Sequence, residues 1–401
     1  MKYNVVVVGG GPAGCVTAKY AALSGAKVVI LERDNEIGIP VLCGEGISKN
    51  VENLGIIKRG RWIENEVEGA RIFSPNGTMV KLSTEVAGNE AGYVIDRALF
   101  DKELAREAAK AGAEIMLRTE ATAVIVKDGR IKGVEAKQNG EKIKIQADIV
   151  VGADGVESKI GRQAGINTML KAKDIVSSAE YTMAGIDCEE KYCDFYVGKS
   201  IAPGGYIWVF PKSDDIANIG IGILGSYSEP GLASKLLDKF IEKHPEYRKG
   251  KKIRMIAGAV PVAEPVETVR DNLLLVGDAA RQTDPLTGGG IMHALIAGKI
   301  AGEVIGEAVE KEDFSRERLS KYEKLWKEKL GHKLHRNYVM KEVASTFDDK
   351  TFDKLADSVK DIKFDEFSTR GLVKALVLKH PTLLTKLKPL VKEYKSWRSE
   401  K

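Results

Sequence analysis

Cysteine and histidine are scarce in this chain. Its four cysteines (Cys15, Cys43, Cys188, Cys193) and five histidines, spread over 401 residues, form neither a disulfide framework nor a recognisable zinc spacing, so no covalent or metal staple is expected to hold the fold. Cys188 and Cys193 are close enough in sequence to pair, but a single pair makes no framework. Also missing is any run of the roughly 18 to 20 apolar residues that would span a bilayer. Met1-Lys2-Tyr3 leads straight into a predicted strand without a signal peptide, so a cytoplasmic protein is expected, peripheral at most to the inner face of the cell membrane. What is present suits a globular protein: 43% hydrophobic and 30% charged residues exclude a disordered or collagen-like chain. The length exceeds one domain of common size and predicts interleaved domains or one large domain with an appendage.

The formal net charge is +5. From Arg370 to Lys401 there are seven Lys and two Arg against Glu393 and Glu400, a net of +7, which leaves about −2 for the first 369 residues. A nucleic-acid-coating surface would spread its charge over a folded face, so no nucleic-acid partner is expected. Residues 371 to 394 carry Leu383, Leu384, Leu387, Leu390 and Val391 at helical spacing among Lys386, Lys388 and Lys392, interrupted by Pro381 and Pro389. Such a basic amphipathic helix either meets anionic lipid headgroups or caps the core with a solvated lysine face, and both readings stand at this point.

The N-terminal segment carries the most information. Tyr3 to Val8 is a β-branched run, followed by Gly9-Gly10-Gly11-Pro12-Ala13-Gly14, an Ala-rich stretch to about Gly25, and a second apolar run from Lys27 to Leu31 that closes on Glu32. This is a βαβ unit with G-x-G-x-x-G at its first turn, the arrangement that binds a dinucleotide. Gly9 permits the tight turn, Gly11 lets backbone approach a pyrophosphate, and Gly14 lets helix and strand pack closely. The helix start offers N–H groups and positive dipole to phosphates, and Glu32 would accept from ribose hydroxyls. Gly220-Ile221-Gly222-Ile223-Leu224-Gly225 spells the same pattern, but a turn cluster from Ser226 to Pro230 follows it, so it reads as antiparallel strand. Two later strands end in Asp154-Gly155 and Gly277-Asp278. Asp278 is placed to accept from a polyol chain, and the helix opening near Gly289 aims its dipole into the same crevice.

With GGGPAG, GADG and VGDAA in this order over residues 9 to 290, the chain resembles the FAD-dependent family that includes hydroxylases of the para-hydroxybenzoate type. That resemblance implies FAD, with Ala13 and Glu32 on its pyrophosphate and adenosine side. It puts Arg97 and Ala121 along the adenosine and phosphates, and Asp278, Gly290 and Ile291 at the ribityl chain and ring. Arg97, at a strand-to-helix junction, reads either as a cation for the diphosphate or as a surface residue paired with Asp101. Two further segments, Pro40-Val41-Leu42-Cys43-Gly44-Glu45-Gly46 and Pro203-Gly204-Gly205-Tyr206-Ile207-Trp208-Val209-Phe210-Pro211, are similar to the geranylgeranyl reductase family, in particular to its archaeal ether-lipid branch. The first would abut the flavin, bringing Cys43, Gly44 and Gly46 to it, and the second would line a prenyl pocket. Strand alternation by itself puts Tyr206, Trp208 and Phe210 on one face, which suits a pocket wall or a sheet core.

The resemblance implies an α/β protein with α+β character: a Rossmann-type FAD-binding domain (1–70, 93–170 and 255–310), an interleaved antiparallel-sheet substrate domain (71–92 and 171–254) and a helical C-terminal region (311–401). The implied substrate is a geranylgeranylated glycerophospholipid, with ferredoxin or NAD(P)H as electron donor. An isolated alkene has no electron-withdrawing group, so hydride addition needs a proton donor on one alkene face and the flavin on the other. Cys43 is the expected donor or positions it, Tyr206 is the alternative, and Trp208 is a π-wall for developing positive charge. An aromatic hydroxylase or epoxidase and a non-enzymatic prenyl carrier are the competing readings, although the DG and GDA segments speak against a flavin-free carrier.

Overall fold

The structure, a computed structural model, describes residues 1–84 and 91–361, so the basic segment 371–401 lies outside the described residues. Two large sheets organise the molecule. The first orders Val269–Arg270, Leu273–Leu275, Glu141–Gly152, Lys2–Val8, Val28–Leu31 and Glu114–Met116 side by side, and from Leu273–Leu275 onward neighbouring strands are parallel. Lys2–Val8 is apolar without alternation because it is covered on both sides: Val5 and Val7 join one core, while Tyr3, Val6 and Val8 join another. Glu141–Gly152 serves two partners, pairing antiparallel with Arg130–Gln138 in its first half and parallel with Lys2–Val8 in its second. Strand order reverses at Lys2–Val8, so the crevice beyond its C-terminal end is the switch point at which such sheets bind ligands.

The second sheet has seven strands in the order Lys251–Pro261, Ile175–Ala184, Ile216–Leu224, Tyr206–Pro211, Tyr192–Val197, Gly69–Phe73 and Met79–Ser83. Of the decoy glycines, Gly220 and Gly222 do lie in an antiparallel strand, Ile216–Leu224, and Gly225 opens the turn after it. Alternation divides this sheet sharply. Ala179, Tyr181, Ile207, Val209, Ile219 and Ile221 face a core closed by Leu237, Phe240 and Ile241 of the helix Leu232–Lys243, and the residues between them face the opposite way. The domain boundary expected at 255 needs correction: Lys251–Pro261 pairs along its length with Ile175–Ala184, so residues 255 to 261 belong to the second sheet. A three-stranded sheet of Gly46–Ile47, Tyr93–Ile95 and Ile63–Glu66 carries the chain between the two.

The helices Arg316–Trp326, His332–Ala344 and Asp349–Val359 make up the described part of the C-terminal region. Among the described residues no helix is long and apolar enough to cross a membrane. Helix Ile291–Glu310 packs along Pro12–Leu23 through glycines spaced four apart. A Cβ at Gly298 would lie 2.9 Å from the Ala13 carbonyl oxygen, one at Gly302 would lie 2.6 Å from that of Thr17, and one at Gly306 would overlap Ser24. Backbone-to-backbone contact of this kind leaves no room for a side chain, and overpacking costs about 1–3 kcal/mol. Gly302→Val is therefore expected to lower stability by at least that amount, read as a fall in the urea midpoint with an unchanged m-value.

Candidate functional site

The glycine-rich turn forms the floor of a groove lined by Gly9, Gly11, Glu32, Ala121, Asp154 and Gly155. Gly9 has φ +107°, and Gly14 packs directly on its carbonyl. A Cβ on Gly11 would meet nothing within 4 Å, so its backbone faces open space. Pro12 opens the helix behind it, where a missing N–H does no harm. Glu32 accepts from the Gly10 and Asp34 amides at 2.9 and 3.0 Å, which fixes its carboxylate at the groove. Asp154 accepts from the Ile160 amide through Oδ2 at 2.9 Å, but its buried Oδ1 has no hydrogen-bond partner among the described residues. Ala13 is buried against Gly277. Asp278 accepts from Thr283 at 2.6 Å and lies against Gly290, where burial raises its carboxyl pKa.

An apolar cavity opens between the second sheet and two loops. Its walls include Cys43 to Gly46, Tyr206, Trp208 and Phe210, and Gly288 to Ile291 at the start of the long helix. The face of the second sheet turned away from its core is thus a cavity wall. Glycine makes that wall possible: a Cβ at Gly220 would overlap the Trp208 indole, since the two residues pair across neighbouring strands. The decoy glycines are the seat of an aromatic side chain. Gly44 also lies against this face, with its Cβ position 3.0 Å from Trp208 Nε1 and 3.2 Å from Phe210. Tyr206 meets Trp208 edge to face at 6.0 Å, and its hydroxyl donates to the Thr287 carbonyl. A second apolar cavity, lined by Ile72, Leu82, Phe195 and Phe352, adjoins the first and shares Tyr206 and Thr287 with it.

Glu45 occupies the junction of loop and sheet. It is 1% exposed and has φ +73°, unusual for a residue with a side chain. Its carboxylate accepts from the Arg97 amide at 2.9 Å, Asn218 Nδ2 at 2.6 Å, Lys212 Nζ at 2.8 Å and Arg254 at 2.9 Å. Burial opposes its charge, yet Lys212, the Arg97 amide and Arg254 outweigh burial and lower the pKa, so the group is ionised. Cys43 Sγ accepts from the Glu45 amide at 3.2 Å, and burial holds its thiol protonated against the pull of neighbouring Arg97. Arg97 is neither a surface residue nor part of the glycine-turn groove. Its half-buried guanidinium makes a two-pronged contact with Asp101, at 3.0 and 2.8 Å, beside Cys43.

Glu180 is the residue that sequence reasoning missed. It lies on Ile175–Ala184 in step with Val176 and Ser178, on the cavity face, and is 2% exposed. Its Oε2 accepts from Trp208 Nε1 at 2.9 Å, whereas Oε1 has no hydrogen-bond partner among the described residues and stands 3.6 Å from Arg254. Burial, reinforced by the Glu45 charge, pushes its pKa up to about 8. Two neighbouring carboxyl groups thus differ in state, one ionised and one neutral at pH 7. The sequence signal was slight: a single Glu in a strand, on the face that alternation leaves to small and polar residues. Lys212, Asn218 and Arg254 gave no motif at all.

Comparison with known proteins agrees with this division. A geranylgeranyl reductase catalytic domain matches residues 174–260, the span of the five strands from Ile175–Ala184 to Lys251–Pro261, and an FAD binding domain matches residues 2–204. A digeranylgeranylglycerophospholipid reductase of Methanothrix thermoacetophila is 45% identical over 98% of this chain and 100% of its own length. The protein of that name in Thermoplasma acidophilum is 44% identical over 97% of this chain and 99% of its own. A crystal structure of a geranylgeranyl bacteriochlorophyll reductase-like protein from Thermoplasma acidophilum superposes with a TM-score of 0.91 at 44% identity, covering 97% of this chain and 99% of that one. The flavin-dependent brominase Bmp2, at 17% identity and a TM-score of 0.70, shares the fold. FAD is the cofactor, and the open backbone at Gly11 and the unpartnered Asp154 Oδ1 fit it.

The neutral state of Glu180 has a consequence for stability. Its folded pKa of about 8 lies above the ordinary 4.5, so its contribution is fully present below pH 4.5 and is lost as pH rises through 8. Stability of the wild type relative to Glu180→Gln should therefore fall over that interval, by a few kcal/mol in total, and level off above it. Urea midpoints of both proteins across the range measure this difference.

Proposed function

The chain belongs to the digeranylgeranylglycerophospholipid reductase family, and from that premise we propose that it saturates the C=C bonds of geranylgeranyl chains in archaeal ether phospholipids. The observation that carries the reading is the aromatic-walled apolar cavity, which runs from the second sheet to the loops Cys43–Gly46 and Gly288–Ile291. A polyprenyl chain offers only apolar surface, worth about 0.8 kcal/mol per buried CH₂, and such a cavity takes it up while keeping water away from developing positive charge. Reduced FAD supplies hydride. The chain's residues supply the rest: Gly9, Gly11, Ala13 and Gly14 receive the pyrophosphate, Glu32, Ala121 and Asp154 border the adenosine side, and Asp278, Gly290 and Ile291 border the ribityl chain and ring. Trp208 and Phe210 present π-faces to the alkene.

Of the two proton donors suggested by sequence, Tyr206 has its hydroxyl engaged by the Thr287 carbonyl. Cys43 is a positioning residue in this reading, its thiol fixed between the Glu45 amide and Arg97 at the edge of the flavin loop. Arg97 fixes that edge, and its charge also acts on Asp278 at the cofactor side of the site. A hydroxylase on the same scaffold is less supported, because the full-length relatives are named reductases. The electron donor is ferredoxin or NAD(P)H, and the basic segment 371–401 holds the protein at an anionic membrane surface.

The test of function is anaerobic: the holoenzyme is reduced with dithionite and given geranylgeranyl phospholipid. Products gaining two hydrogens per saturated bond are expected, and a requirement for oxygen would instead indicate a hydroxylase. Cys43→Ala should keep its bound FAD spectrum and lose turnover roughly 10- to 100-fold, the scale of a mispositioned reacting group. For the tail, the full chain should co-sediment with anionic vesicles and a chain truncated after residue 370 should not; equal binding rejects membrane contact through that segment.

A further inference from the structure

Protonation of an isolated alkene calls for the strongest acid on the cavity wall that still holds its proton at working pH. Apart from the Thr287 hydroxyl, a weak acid, and the Lys341 ammonium, which donates to the Lys173 carbonyl at 3.0 Å and Glu342 Oε1 at 2.7 Å, four wall side chains carry a transferable O–H or S–H hydrogen. The Tyr206 hydroxyl donates to the Thr287 carbonyl, and the Ser178 hydroxyl donates to the Gly258 carbonyl at 3.1 Å. Cys43 carries a thiol, intrinsically a weaker acid than a carboxyl group, and burial weakens it further. Glu180 differs from all three. Trp208 Nε1 donates to Oε2 and so reserves that oxygen as an acceptor, which leaves the proton on Oε1. That oxygen is buried, has no hydrogen-bond partner among the described residues and belongs to a residue of the cavity wall.

We propose that Glu180 is the acid that protonates the alkene, an assignment that rests on the reductase reading above. The Glu180 O–H bond breaks and a C–H bond forms at the less substituted alkene carbon. Reduced FAD, when bound, would supply the hydride for the second C–H bond at the other carbon and would be oxidised by the two electrons it gives up. The resulting carboxylate keeps the Trp208 hydrogen bond and gains attraction from Arg254, whose group lies 3.6 Å from Oε1. Arg254 is partly exposed, so solvent at its edge returns the proton. The charged groups around Glu180 are Glu45, Arg254 and Lys212. Glu45 disfavours the charged form before transfer, while the two cations bound the cost of forming it.

The experiment uses the holoenzyme, its Glu180→Gln variant and its Glu180→Asp variant, each reduced anaerobically and given geranylgeranyl phospholipid. Glutamine keeps an acceptor for Trp208 and cannot donate an acid proton. Its turnover should fall about 100-fold or more with the FAD spectrum and circular dichroism unchanged, and aspartate should restore part of the loss. Wild-type kcat should decline as pH rises through about 8. Independently of activity, the infrared carbonyl band of a neutral carboxylic acid should be present in the wild type at pH 7 and weaker by one group in Glu180→Gln. Wild-type turnover in Glu180→Gln, or an unchanged band, overturns the proposal while leaving the reductase intact. A wild type that reduces no prenyl lipid overturns both.

Discussion

The site hangs on one carboxylate. Glu45 sits in a backbone conformation that costs a non-glycine residue of order 1–3 kcal/mol and is retained by four hydrogen-bonded contacts, from Arg97, Asn218, Lys212 and Arg254. Those partners come from the helix at residue 97 and from three places around the second sheet, so the group joins the flavin loop to the substrate wall. The same buried charge opposes ionisation of Glu180. Geometry and proton inventory of the cavity are therefore one arrangement. Removing either cation would leave buried charge poorly compensated, a far larger perturbation than the loss of a surface ion pair.

The nucleotide half was legible because its requirements are local. A turn that needs φ > 0 at Gly9 and close helix packing at Gly14 leaves glycines at fixed spacing, and a strand covered on both faces leaves an unbroken apolar run. The second sheet was half legible: alternation grouped Tyr206, Trp208 and Phe210 but did not say whether their face met core or cavity. That depends on which face the helix Leu232–Lys243 covers, a long-range fact. The expected boundary at 255 failed for a related reason, since strand Lys251–Pro261 reads much the same in either sheet. Of the readings offered for Arg97, the pairing with Asp101 is present, but at a half-buried position rather than on the surface. Glu180 and its neighbours escaped because a carboxyl group's state is set by burial and by charges remote in sequence.

The wall also clarifies what the cavity discriminates. Dispersion and burial accumulate with every methylene, so affinity for a long chain comes readily and a preference for one chain length does not. Chemical selectivity has to come from where the fixed groups meet the chain: an unpartnered carboxyl oxygen, the aromatic faces and the loop that borders the flavin. Tyr206 and Thr287 stand where the two apolar cavities adjoin, and their hydrogen bond ties the second sheet to the glycine-rich loop.

The glycine floor under Trp208 dictates how this pocket can be reshaped. Gly220 admits no side chain without evicting the indole, and a Cβ on Gly222 would press on Val176 at 2.9 Å. Gly258, on the neighbouring wall, is different, for a Cβ there would meet only ordinary contacts, at 3.7 Å from Ser178 and 3.9 Å from Leu42. Designers seeking a narrower substrate range have a rigid bed and an adjustable rim. Libraries concentrated on Gly258 would trim the bore one methyl at a time, whereas diversity spent on 220 would mostly yield proteins without their aromatic wall.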